Sequence, residues 1–152
     1  MGHLVDIKRQ AIKYLSYREH SAEELQQKLV QKFDNVPELY NVIDELANEG
    51  LQSDLRYSVL YIESRARKGY GRRYIENALK QKGVSRKDIS QGFNECIVDW
   101  QHVARKSWQK KFSNKVPQDV PEKLKQTRFL LNRGFTSQEI KNTLNKLSNK
   151  SF

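Results

Sequence analysis

Cysteine, strand patterns and long apolar runs are scarce in this 152-residue chain. Cys96 is the single cysteine, which rules out an internal disulfide and fits a reducing cytoplasm. No apolar run approaches the ~20 residues that a membrane helix needs, and the N-terminus lacks the apolar core of a signal peptide. Asn-Gly and Asp-Gly turns are missing and apolar–polar alternation is never sustained, so we predict no β-strand. These absences indicate a soluble, cytoplasmic, all-α protein.

The groups that carry enzyme chemistry are also sparse. The three histidines, none with metal-ligand spacing to another or to Cys96, are His3, His20 and His102. Gly69 and Gly71 lack the preceding strand and the following Lys-Ser/Thr of a phosphate-binding loop. We therefore expect no enzyme activity, no metal and no cofactor. His20 directly precedes a helix cap and is expected to favour the dipole at a helix C-terminus. Cys96 lies on an apolar stripe and is expected in the core.

The charge is strongly basic and unevenly spread. The formal net charge is +10 and the isoelectric point is about 9.7, which favours a polyanionic partner, either nucleic acid or an acidic protein. Residues 33–55 contain six acids and no Lys or Arg. Residues 56–82 and residues 100–128 each hold eight cations and two acids, a net charge of +6. An acidic block ahead of the two basic ones indicates a protein partner with its own charge pattern.

The most basic stretch, residues 64–83, is interpreted as two helices joined by a tight glycine corner. Apolar residues after the corner recur at helical spacing. We predict that a basic corner faces an anionic partner, either protein or DNA: Arg65, Arg67, Lys68, Tyr70, Arg72, Arg73 and Lys80. A second basic patch is predicted at Arg105, Lys106, Lys110 and Lys111. The alternative is a solvated charged turn with no partner.

Helix boundaries follow from capping residues. A first helix is predicted over residues 6–17. Ser21 and Glu24 form a capping box that opens a second helix, and Pro37 fits the first turn of a third. Apolar residues from Ile89 to Trp108 recur at steps of three and four, which predicts one long helix or two helices interrupted near the middle. The total expected is about eight helices.

Three helix corners resemble one another and indicate an internal repeat. They lie at residues 17–21, 67–71 and 132–136, each followed by apolar residues four apart. The predicted fold is a set of tandem three-helix, helix-turn-helix-like repeats stacked in an elongated, curved array. The predicted bounds are 1–52 for the first repeat and 53–112 for a second repeat with a long last helix. A proline-containing linker at 113–121 and a third, shortened repeat at 122–152 would follow.

Several motifs occur in an order that resembles the RecX family of bacterial recombination regulators. Arg18–Leu29 reads Arg-Glu-His-Ser-x-x-Glu-Leu-x-x-Lys-Leu, Ser64–Gly71 reads Ser-Arg-Ala-Arg-Lys-Gly-Tyr-Gly, and Arg128–Phe135 reads Arg-Phe-Leu-Leu-Asn-Arg-Gly-Phe. The resemblance covers residues 11–147. Two departures are that Arg72 stands where a proline is common and that the third unit lacks a final helix that many relatives carry.

The resemblance implies a cytoplasmic, monomeric regulator that binds RecA and its filament on single-stranded DNA. Such a regulator inhibits the RecA ATPase, recombinase activity and filament extension, and it binds single-stranded and double-stranded DNA without sequence preference. An alternative is a direct DNA-binding helix-turn-helix protein such as a transcription regulator, for which Arg72, Arg73, Asn77 and Lys80 could read bases. A third class, a general helical adaptor, would have no effect on recombination.

Overall fold

The computed structural model describes the backbone of residues 2–149 and the side chains of residues 4–145. The described backbone forms nine α-helices and no strand, which confirms the all-α prediction. The helices are α1 (Gly2–Tyr17), α2 (Ala22–Phe33), α3 (Pro37–Asn48), α4 (Asp54–Arg67), α5 (Arg72–Gln81), α6 (Arg86–Glu95), α7 (Trp100–Phe112), α8 (Val120–Asn132) and α9 (Ser137–Asn149). Among these residues, no helix is both long enough and apolar enough to cross a membrane.

The chain divides into two compact units. The first extends to Leu60 and resumes over Leu79–Glu95, and the second holds Tyr61–Ala78 and the chain from Cys96 onward. In the first unit, α1, α2 and α3 pack on one another around a fully apolar core. Its buried members are Ile7, Ala11, Leu25, Leu29, Leu39, Val42, Ile43 and Leu46. These residues recur at helical steps of three and four, so each helix presents one apolar stripe to the same interior.

The predicted starts of α2 and α3 are confirmed, whereas α1 begins at Gly2 rather than at residue 6. The Ser21 hydroxyl accepts a hydrogen bond from the Glu24 amide at 3.1 Å, and Pro37 occupies the first turn of α3. The Glu24 carboxylate does not complete the capping box, because it accepts from the Arg18 guanidinium instead, at 3.0 Å. That ion pair lowers the pKa of the Glu24 carboxyl. The start of α2 is thereby tied to the end of α1.

In the second unit, α7, α8 and α9 pack together around a second apolar core. Its buried members are Ala104, Trp108, Leu130, Phe135, Ile140 and Leu144. The Trp108 indole donates to the fully buried Gln126 amide oxygen at 2.7 Å. The Gln126 amide nitrogen donates in turn to the carbonyl of Lys115 at 3.0 Å. These bonds satisfy every polar atom of the pair and fasten the segment between α7 and α8 to the core.

The long last helix predicted for the second repeat is wrong. The stretch is two helices, because α6 ends at Glu95 and the Asp99 carboxylate caps a new helix by accepting from the His102 amide at 3.1 Å. Helix α7 packs with α8 and α9, so the third group has three helices and is not shortened. The linker predicted at 113–121 lies inside that group. Cys96, expected in the core, follows α6 and is half-buried.

His20 was expected to favour the dipole at a helix C-terminus, and the structure buries it. Its Nδ1 lies 3.0 Å from the Arg18 carbonyl oxygen and its Nε2 lies 2.9 Å from the Lys28 ammonium. An ammonium group can only donate, so Nε2 accepts and Nδ1–H donates, which is the neutral tautomer. Burial, with the nearby Arg18 and Lys28 charges, lowers the His20 pKa. A neutral ring contributes no charge to the helix dipole.

We expect acidification to destabilise the protein through His20. Because the folded pKa is lowered, the unfolded chain takes up the proton first. The stabilisation is therefore complete above the unfolded pKa of about 6.5 and is lost as the pH falls through the lower folded value. The melting temperature should drop from about pH 7.5 to about pH 5.5, a range that extends about one pH unit to either side of the unfolded pKa. His20→Gln keeps a donor and an acceptor but cannot titrate, so it should flatten this dependence. The exposed-histidine control His102→Gln should leave it unchanged.

Candidate functional site

The basic corner between α4 and α5 is a glycine turn fixed by backbone hydrogen bonds. Gly69 has φ +91°, in the left-handed region that side chains disfavour. The amide of Tyr70 donates to the Arg65 carbonyl at 3.1 Å, and the amide of Gly69 donates to the Ala66 carbonyl at 3.0 Å. This arrangement ends α4 and turns the chain within four residues. The corner predicted at residues 67–71 is therefore confirmed as a turn.

A second glycine corner, between α8 and α9, pairs with the first through the backbone. The Gly71 amide donates to the Arg133 carbonyl at 2.7 Å, and the Arg73 amide donates to the Gly134 carbonyl at 3.2 Å. A Cβ on Gly71 would lie 2.5 Å from the carbonyl carbon of Gly134. A Cβ on Gly134 would lie 2.4 Å from the Tyr74 amide nitrogen. Only glycine fits at either position, since the two chains touch where a side chain would begin.

An aromatic column runs alongside the paired corners. The Arg133 guanidinium lies 4.5 Å from the centre of the Tyr70 ring and 5.2 Å from the centre of the Phe129 ring. Tyr70 stacks on Tyr74 with ring centres 4.3 Å apart. Arg133 is therefore held by cation–π contacts and bridges α8 to the basic corner. Tyr70 is half-buried, and its ring contacts Arg133 and Tyr74. These contacts help to hold the turn in place.

A basic pocket opens beside the corner, within the second unit. Its volume is about 720 Å³. The cations that line it are Arg67, Lys68, Lys106, Lys110, Lys111 and Arg133, and two carboxylates, Glu63 and Asp99, also line it. The exposed face of α7 supplies Lys106 and Lys110 one turn apart, and the end of α4 supplies Arg67 and Lys68. The tertiary fold thus joins part of the basic corner to part of the second basic patch.

Four of the six pocket cations lack a polar partner in the part of the chain that the structure describes. Within the described part of the chain, Arg67, Lys68, Lys106 and Lys110 have no ion pair and no side-chain hydrogen bond. The first unit is different, because Lys8 pairs with Glu45 at 2.7 Å and Arg56 pairs with Glu19 at 2.9 Å. Unpaired cations gathered at one concave surface can be neutralised by an anionic partner.

The other predicted residues lie outside the pocket lining. The Arg65 guanidinium lies 5.2 Å from the centre of the Tyr61 ring, and Arg105 is half-buried on α7. Arg72, Arg73 and Lys80 are exposed on α5. Their part in binding stays a prediction.

Arg133, Phe129 and Ile97 line the pocket but were not predicted as site residues. Arg133 could have been found from its place in the repeated corner motif, next to Gly134. No sequence signal marks Ile97, because only the tertiary structure shows that it is exposed beside the cations.

The fold and the basic surface define a helical repeat protein built from three-helix domains. Three family models match it: RecX first three-helix domain over residues 8–35, RecX second three-helix domain over 53–92, and RecX third three-helix domain over 99–144. The third match begins before α7, so the third domain has its three helices, contrary to the departure expected above.

Similar proteins agree with these models. Regulatory protein RecX of Pseudomonas fluorescens strain Pf-5 is 40% identical over 141 residues, which cover 93% of this chain and 91% of that protein. Regulatory protein RecX of Pseudomonas savastanoi pv. phaseolicola is 42% identical and covers 86% and 84% of the two chains. The protein belongs to the RecX family.

The crystal structure of RecX from Lactobacillus salivarius has the same fold. It superposes with a TM-score of 0.75 over 96% of this chain and 97% of that one, at 18% sequence identity. A second crystal structure, of regulatory protein RecX, superposes with a TM-score of 0.73 over 95% of this chain and 74% of that one.

Proposed function

We propose that this protein binds RecA and the RecA filament on single-stranded DNA, and that it inhibits RecA ATPase, recombinase activity and filament extension. Membership of the RecX family, whose members are named regulatory proteins, supports a regulatory role. The unpaired cations around the pocket are the main observation in support of the proposal, and they identify the surface that would bind the partner. A protein of this charge favours an anionic partner, and a RecA filament offers both acidic protein surface and phosphate.

The decisive experiment measures RecA ATPase on single-stranded DNA with and without the protein. We expect hydrolysis to fall as the protein is added, because a bound regulator blocks the filament or its growth. Unchanged hydrolysis at protein concentrations up to that of RecA would contradict the proposal and favour a general helical adaptor. We further infer that the protein acts as a monomer in the cytoplasm, without metal, cofactor or catalysis. Light scattering of the purified protein tests the monomeric state.

A helix-turn-helix transcription regulator is the second candidate. Helix α5 exposes Arg72, Arg73, Asn77 and Lys80, whose side chains can contact base edges. Such a protein would bind one duplex sequence much more tightly than others. The first proposal requires binding that ignores sequence.

We expect DNA binding by this protein to be non-specific and steeply dependent on salt. Cations that contact phosphates release counterions, so log K should fall with log salt by about 0.7 per contact on a single strand. Fluorescence anisotropy with a single-stranded and two unrelated duplex oligonucleotides across a salt series measures both properties. Asn77→Ala is the control for base reading and should have no effect. Tight binding to one duplex at physiological salt, lost in Asn77→Ala, would instead establish the transcription regulator.

A further inference from the structure

The basic pocket has an apolar lining as well as cations. Its walls include Ala66, Val98, Val103 and Phe129, and its volume of about 720 Å³ lies in the range of small ligand sites. The last turn of α4, the segment between α6 and α7, the exposed face of α7 and the end of α8 supply these walls. A purely phosphate-binding surface would not need aliphatic walls, so the lining points to an apolar group of the ligand.

Ile97 supports the same conclusion. It lines the pocket, yet its relative exposure is 104%, the highest among the large apolar side chains that the structure describes. It follows Cys96 in the short segment that ends α6 and precedes the Asp99 cap of α7, so helix formation does not require an apolar residue there. A fully exposed isoleucine gains by being covered, because removing apolar surface from water is favourable. A ligand that enters the pocket would cover it.

The lining holds one phenyl ring, Phe129, which already has close contacts, and one exposed imidazole, His102. The Lys111 ammonium lies 5.5 Å and the Arg133 guanidinium 5.2 Å from the centre of Phe129, and Phe112 meets its edge with ring centres 5.4 Å apart. Proteins that bind single-stranded nucleic acid need aromatic faces on which bases stack. The pocket also holds two carboxylates, Glu63 and Asp99, which repel phosphates and peptide carboxylates alike and so do not select between the two kinds of anion. Because cations already contact the Phe129 ring, that ring is a poor platform for base stacking, and this disfavours a nucleic acid strand in the pocket.

We propose that the pocket binds an acidic peptide segment of a protein partner, with one aliphatic side chain inserted between flanking carboxylates. The side chain contacts Ile97, Val98 and Val103, and the carboxylates pair with Lys106 and Lys110 on one side and Arg67 and Lys68 on the other. This inference rests on the proposed function in one respect. The proposed function says that these cations bind a partner protein, and the inference specifies the chemistry of that partner's surface. Charge complementarity and the aliphatic lining carry it.

The test is fluorescence polarisation with labelled probes and the full chain. Three peptides of about ten residues, long enough to span the pocket when extended, are compared: an Asp/Glu peptide with a central Leu, the same peptide with a central Ser, and a Gln-for-acid version with the central Leu. A labelled oligothymidylate is the nucleic acid probe. The variants are Ile97→Ser and the double variant Lys106→Ala/Lys110→Ala. The matched controls, exposed and outside the pocket, are Leu124→Ser and Lys123→Ala/Lys141→Ala.

The acidic Leu peptide should bind about tenfold more tightly than the acidic Ser peptide, because a buried leucine side chain replaces a polar one. Ile97→Ser should abolish that preference, and Lys106→Ala/Lys110→Ala should weaken both acidic peptides about tenfold. Both controls should behave as the wild type. Equal affinity for the Leu and Ser peptides, or no binding of any peptide, overturns the proposal. Oligothymidylate binding that depends on Ile97 and on both lysines also overturns it and makes the pocket a nucleic acid site.

This experiment contains no RecA. A negative peptide result therefore leaves the proposed regulation of RecA standing, and a negative ATPase result leaves a positive peptide result standing.

Discussion

Replacing Gly134 by Ala is expected to lower the free energy of unfolding by about 3 kcal/mol or more. The residue has φ +97°, which costs an alanine about 1–2 kcal/mol. The added Cβ would also lie 2.4 Å from the Tyr74 amide nitrogen. This nitrogen belongs to the backbone, so it cannot move away as easily as the end of a flexible side chain. Overpacking of this kind adds about 1–3 kcal/mol. Urea denaturation followed by circular dichroism at 222 nm, the usual helix wavelength, measures the change.

The matched control is Gly50→Ala. Gly50 has φ +78°, but nothing lies within 4 Å of the position of its Cβ. This variant should therefore show only the backbone cost of about 1–2 kcal/mol. Gly71→Ala tests the contact from the other side, because Gly71 has no positive φ and only the overlap with Gly134 applies. If Gly134→Ala costs no more than Gly50→Ala, the backbone pairing of the two corners is not a stabilising contact.

The second large effect is expected on RecA inhibition. Replacing Arg67, Lys68, Lys106 and Lys110 together by Ala should raise the protein concentration needed for half inhibition of RecA ATPase more than tenfold. An exposed ion pair contributes about 0.2–1 kcal/mol, so four together contribute about 2 kcal/mol. A single Ala should have little effect for the same reason. The helix content should not change, because these side chains are exposed and make no hydrogen bond within the described chain.

The control variant removes the same charge elsewhere. It replaces Lys13, Lys87, Lys123 and Lys141 by Ala, all exposed and outside the pocket. Equal loss of inhibition in both quadruple variants would mean that net charge alone matters. Tyr70→Phe keeps the ring that stacks on Tyr74 and contacts Arg133, so it should inhibit as the wild type does. Tyr70→Ala should weaken inhibition only through a lower melting temperature.

Local interactions explain which parts of the fold could be predicted. Ser21 caps α2 by accepting from Glu24, and Thr136 caps α9 while the Glu139 carboxylate accepts from the Thr136 amide at 2.9 Å. These bonds span three residues, so the sequence pattern contains both partners. The glycine corner at 67–71 is local in the same sense. The helical class, most helix starts and the corners could therefore be read from the chain.

The break at 96–99 could not be settled in the same way. The Asp99 cap also spans three residues, but the apolar stripe from Ile89 to Trp108 continues at helical spacing across it. These two local patterns disagree, so the sequence was compatible with one long helix or two. The burial of His20 was also missed, because its partner Lys28 lies eight residues away on α2.

The sequence by itself determined an all-helical, basic protein with capped helices and glycine corners, because each of these follows from residues a few positions apart. Only the tertiary structure decided that Gly71 meets Arg133, 62 positions later, and that Arg67 and Lys68 share a pocket with Lys106 and Lys110. Such contacts depend on how helices pack, and packing is set by the shape and volume of many side chains together rather than by any spacing along the chain.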